Sequence, residues 1–122
     1  MFFKKRKRNK VKKRVVCPIS VVIGVIKDTI DTDAGNSEIH FLYKGEKHKV
    51  GMISDYTHSK GFFDTMFYLD NQEFDSFEKF KSQAFLGGDI FANMTDDVEI
   101  IDVDPGIAIF PWYTVFEQYV VD

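Results

Sequence analysis

The stretch FFDTMFYLDNQEFDSFEKFKSQAFLGG, Phe62 to Gly88, decides how this chain folds. It opens as an apolar run, Phe62, Phe63, Met66, Phe67, Tyr68 and Leu69, interrupted only by Asp64 and Thr65. Both alternating faces of the run are largely apolar, the pattern of a strand covered on both sides. Asp70-Asn71 supplies turn chemistry, because short polar side chains bond nearby backbone amides. Asp75 followed by Glu78 has the spacing of a capping box. Phe77, Phe80 and Ala84 then recur at helical spacing, and Gly87-Gly88 is suited to stop a helix by adopting positive φ. A buried strand, a turn and one amphipathic helix over about 75–86 follow. Phe77, Phe80 and Ala84 are its buried face, with Glu78, Lys79 and Lys81 turned outward.

Outward from this stretch, the rest reads mainly as strands. VVCPISVVIGVI, Val15 to Ile26, is too short to span a bilayer. It contains Pro18, lacks an A-x-A site and runs into Lys27 and Asp28, so a secretory signal is disfavoured. Its β-branched residues predict instead a first long strand over Ile19 to Ile30. Glu38 to Tyr43 and His48 to Ile53 read as a hairpin across Lys44-Gly45-Glu46. Asp89 to Met94 adds a helical turn. Val98 to Val103 is a strand ended by Pro105-Gly106, and a closing strand runs from about Trp112 to Val121. The expected fold is α+β: a mainly antiparallel sheet of five or six strands with one principal helix on one face.

With 122 residues and 13 Phe, the chain suffices for one domain with a single core. The lone Cys17 has no partner for an internal disulfide, which favours a reducing, cytoplasmic setting. Charge is divided unevenly. Residues 1–14 hold nine bases and no acid: Lys4, Lys5, Arg6, Lys7, Arg8, Lys10, Lys12, Lys13 and Arg14. Residues 15–122 keep seven bases against all 19 acids, a net of −12. The expected organisation is a basic tail, 1–14, on an acidic domain, 15–122.

Catalytic and metal motifs are weak. DTDAGNSE, Asp31 to Glu38, lacks the glycine and glutamate positions of an EF-hand. His40, His48 and His58 have no cysteine pair or His-x-x-x-His helper to build a metal site. A two-residue hairpin turn puts His40 and His48 on opposite sheet faces, a three-residue loop on one. Ser54, Asp55, His58 and Ser59 crowd one loop, without the separate supports of a hydrolytic triad. Cys17 reads as a small buried hydrophobe. Glycine-rich phosphate loops are absent. No enzyme, metal or cofactor is therefore expected.

The acids of the second half carry more information. From Ser82 to Asp122 there are eight acids and no Lys or Arg. Asp102 and Asp104 fall on one side of a strand, roughly 7 Å apart. Acidic surfaces steer association with cationic proteins, and neighbouring aromatics anchor it. Asp96, Asp97, Asp102 and Asp104, with Trp112 and Tyr113, are thus candidate contacts for a basic protein partner such as a nuclease or another nucleic-acid enzyme. In type and charge alone, with no residues that match a particular family, the chain resembles small toxin-immunity and phage-encoded inhibitor proteins; the acidic body points to a non-enzymatic inhibitor or immunity-type factor. The alternative is a nucleic-acid- or ribosome-associated protein binding RNA or DNA through its tail.

Overall fold

The computed structural model describes residues 14–31, 37–55, 64–104 and 115–121. In chain order these form β1 (Arg14–Pro18), α1 (Ile19–Asp31), β2 (Ser37–Tyr43), β3 (Glu46–Asp55), β4 (Asp64–Leu69), β5 (Gln72–Phe74), α2 (Phe77–Gln83), β6 (Phe85–Leu86), β7 (Asp89–Ile90), a 3₁₀ turn (Phe91–Asn93), β8 (Asp97–Asp104) and β9 (Val120–Val121). Seven strands make one antiparallel sheet in the order β5-β4-β3-β2-β8-β1-β9, and β6 and β7 pair by themselves. The class is α+β as expected, with seven strands in the main sheet in place of five or six.

The meander β2 to β5 follows its turn residues. Tyr43 pairs with Glu46 around Lys44-Gly45, and Leu69 pairs with Gln72 around Asp70-Asn71. Because the first turn has two residues, His40 and His48 take opposite faces: His40 lies across from Lys49, and His48 from Phe41. The Asp70 carboxylate accepts from the Lys49 N–H at 3.0 Å and bonds His48 Nδ1 at 2.7 Å. One turn residue therefore ties the two hairpins together.

The largest correction concerns Ile19 to Ile30, which is the helix α1 and not a strand. Local β propensity loses to periodic burial: Ile19, Val22, Val25, Ile26 and Thr29 are buried, while Ser20, Lys27 and Asp28 are exposed. The hydroxyl of buried Thr29 donates to the Val25 carbonyl at 3.0 Å, so the helix satisfies its own polar residue. Hence, among the described residues, two α-helices and not one pack on the sheet. They share a single core, in which Ile19, Val22 and Ile26 of α1 and Phe80 and Ala84 of α2 meet Ile39, Phe41, Val50 and Leu69 of the sheet.

α2 is shorter than expected at both ends. Its N-cap is Ser76, whose hydroxyl accepts from the Lys79 N–H at 3.1 Å, and Asp75 instead pairs with Lys79 at 3.1 Å. Phe80 and Ala84 are buried, Phe77 packs half-buried, and Glu78, Lys79 and Lys81 face outward. Gly87-Gly88 does not end this helix. Ala84 is already extended, and the two glycines, both at positive φ, turn the β6–β7 hairpin. The closing strand also shrinks, within the described residues, to β9. Residues 115–117 form a helical turn that buries Phe116 in the core before Val120 reaches Val15. No helix among the described residues is long and apolar enough to cross a membrane.

Candidate functional site: the open sheet face and its rim

The strand register sorts the sheet into two faces. Val15, Cys17, Ile39, Phe41, Val50, Met52, Phe67, Leu69, Val98, Ile100 and Val103 belong to the helix-covered core or pack against it. The residues that alternate with them form the other face, on which Ile53 is 46% and Met66 38% exposed.

A β-bulge arranges the acids of β8 on this open face. Ile100 lies across from Phe41 and Asp102 from His40, so Ile101 is an extra residue between them. The parity of the strand changes there: Val98 and Ile100 point inward before the bulge, and Val103 after it. Asp97, Glu99 and Asp102 consequently share the open side, beside an Ile101 that is 45% exposed. Asp104 stands opposite Glu38 in the register. Arg14 is the first residue of β1, and its guanidinium pairs with Glu99 at 3.2 Å.

Three cross-strand rows give the face its charge pattern. Tyr68, Gly51 and Glu38 form one, Lys49, His40 and Asp102 the next, and Lys47, Leu42 and Glu99 the third. In the first row Tyr68 lies across Gly51, where an added Cβ would meet the Ser37 carbonyl and stand 2.7 Å from the Tyr68 hydroxyl oxygen. Only glycine allows this approach. The Tyr68 hydroxyl thereby reaches Glu38 on the next strand but one and donates to its Oε2, while His40 Nε2 lies 2.8 Å from Oε1. Burial pushes the Glu38 carboxyl up, but the hydrogen bonds from Tyr68 and His40 and the charges of His40 and Lys49 outweigh it. The net shift is downward, so the carboxylate is held ionised. Lys49 Nζ lies 6.0 Å from the centre of the Tyr68 ring.

The four candidate aspartates do not form one cluster. Asp96 precedes β8 at the sheet's rim, where the Tyr43 hydroxyl donates to its Oδ2 at 3.2 Å and its carbonyl accepts from Ile19 N–H at 3.1 Å. Asp97 begins β8 opposite Pro18, whereas Asp102 and Asp104 lie near its far end, about 20 Å away by strand rise. Trp112, Tyr113 and the tail residues Lys4, Lys5, Arg6, Lys7, Arg8, Lys10, Lys12 and Lys13 lie outside the described residues, as do His58 and Ser59. Cys17 is buried, and burial, followed by the nearby Asp97 carboxylate, pushes its thiol up to about 11. No group of three or more His, Cys, Asp or Glu among the described residues is placed to hold a metal ion.

Sequence reasoning missed Glu38, Gly51 and Tyr68. A glycine inside a strand pattern signals close backbone approach, and Gly51 carried that signal. Nothing local revealed that Tyr68 would cross it to Glu38. Comparison with known proteins found no matching family model, curated protein or solved structure.

Proposed function

We propose that this chain is a non-enzymatic binding protein, of the inhibitor or immunity type, that engages a basic protein partner through the open face of its sheet. The observation that carries this reading is the bulge at Ile101, which collects Asp97, Glu99 and Asp102 on one side with exposed apolar neighbours. A carboxylate row with apolar contacts beside it suits a cationic, partly apolar protein surface. Lys47 and Lys49 on β3 and Arg14 on β1 put positive charge in parallel bands beside the acids. Banded charge favours one docking register over others. A nuclease or another nucleic-acid-handling enzyme is the partner class proposed, in a cytoplasmic setting that suits the unpaired thiol of Cys17.

The test is capture from native cell lysate with the wild-type chain and with an Asp97→Asn, Glu99→Gln, Asp102→Asn variant. The wild type is expected to recover one basic protein in a salt-sensitive manner, and the variant to lose it. Equal recovery by both refutes docking on this face. The basic run at 4–14 supports a second reading, nucleic-acid binding through the tail. In that case RNA or DNA is recovered, and affinity for duplex DNA falls with salt at a log–log slope of about −0.9 per phosphate neutralised. Removal of residues 1–13 then abolishes it.

A further inference from the structure

Beside Asp96, at the rim where β8 begins, lies an open cleft of about 450 Å³. Phe85, Ile90 and Met94 provide its apolar wall, and Asp89 and Asp96 its carboxylates. Two features mark it as prepared in advance. Phe85 is 53% exposed, yet its backbone is clamped by one side chain: Gln72 Oε1 accepts from Phe85 N–H at 2.8 Å, and Gln72 Nε2 donates to the Phe85 carbonyl at 2.9 Å. The Asp96 carboxylate is likewise oriented by the Tyr43 hydroxyl on Oδ2. An exposed aromatic on a clamped backbone, beside a carboxylate oriented by a hydrogen bond, lowers the ordering cost of binding.

From this arrangement we infer that the cleft receives an arginine side chain of the basic partner. The inference rests on the proposed protein-binding function and names the anchor the partner supplies. Arginine fits each part of the cleft. Its planar guanidinium stacks on an aromatic face and bonds carboxylates through a rigid fork, and its methylene stem lies along apolar walls. Lysine offers a compact, strongly hydrated charge with no plane to stack. Asp96 and Asp97 are consecutive, so the acidic row of the open face runs directly into the cleft.

Agmatine, which is arginine without its carboxylate and a dication at neutral pH, is the probe, titrated against the full chain and followed residue by residue by NMR. Saturable binding in the millimolar range is expected, with shifts centred on Phe85, Ile90 and Asp96 and weaker binding by cadaverine, the lysine-derived diamine of equal charge. Asp96→Asn should weaken agmatine by about ten-fold. Phe85→Leu keeps the apolar volume but removes the ring face, and should weaken it by about three-fold. An unchanged thermal midpoint in each variant keeps the comparison sound; if Asp96→Asn lowers it, Tyr43→Phe, expected to weaken binding by a smaller factor, replaces it. Non-saturating shifts, shifts centred on the open face, or equal affinity for both amines would overturn the inference. The open-face variant Glu99→Gln, Asp102→Asn, which leaves Asp97 beside the cleft intact, separates the two proposals. It should bind agmatine within about two-fold of wild type, whichever way its partner capture turns out.

Discussion

Glu38 shows how a single side chain acquires its character from neighbours distant in sequence. Its depressed carboxyl depends on Tyr68, 30 positions away along the chain, and on His40 two residues on. A carboxylate whose folded pKa lies below its ordinary value of 4.5 adds stability above that value, and this is lost as pH falls through the folded pKa. Wild type should therefore lose more stability than Glu38→Gln between about pH 6 and about pH 3, read from urea midpoints. Parallel curves for the two proteins would show that Glu38 is not coupled to folding. Gly51 has an equally specific requirement. In Gly51→Ala the new methyl meets the Ser37 carbonyl and the Tyr68 hydroxyl, so a loss of about 1–3 kcal/mol is expected in the same measurement. Tyr68→Phe leaves that crowding in place, and Gly51→Ala should remain destabilising in its background.

Among the elements, α2 and β8 make the clearest demands. Phe80 is buried and lies within 6.4 Å, centre to centre, of the Phe67, Phe74, Phe77 and Phe91 rings. Phe80→Ala should cost about 3–5 kcal/mol, and half-buried Phe77→Ala clearly less, by chemical denaturation. Equal costs would mean that α2 is rotated from its described face. The bulge in β8 gives a sharper test. Deleting Ile101 removes the extra residue and leaves Val98, Ile100 and Val103 in uninterrupted period-two alternation, all still facing the core. Unfolding should therefore stay cooperative after the deletion, as in Ile101→Thr; loss of cooperativity in the deletion alone would mean that the bulge itself is needed to seat β8 against β2.

At the scale of the whole molecule, the order β5-β4-β3-β2-β8-β1-β9 places the first strand inside the sheet, between β8 and β9. The first and last described strands thus meet, with Val15 opposite both Ile100 and Val120. Trimming residues 1–13 should preserve the thermal midpoint, while trimming 1–18 removes β1, exposes the β8 edge and should abolish the cooperative transition. The topology also changes the meaning of the acidic second half. The segment from Ser82 onward has one sign in sequence, but β8 lies between β2 and β1, close to Lys47, Lys49 and Arg14. What is a run of acids along the chain becomes one band of a mixed face.

By itself the sequence determined what depends on neighbouring residues. The turns at Lys44-Gly45 and Asp70-Asn71, the strands on either side of them, and the buried face of α2 were all legible, because turn chemistry and period are local. Val98 to Val103 was legible as a strand, though not its bulge, which exists only against the partner strand β2. The tertiary structure decided the rest. VVIGVI became helix because a core waited at helical spacing for Val22, Val25 and Ile26, and that burial outweighs the local preference of β-branched residues. Glu38, Gly51 and Tyr68 met because three strands happened to align in one row, and the backbone of exposed Phe85 became fixed because Gln72 reached it from another strand. Contacts of this kind depend on register and packing, and no local pattern in the chain encodes either.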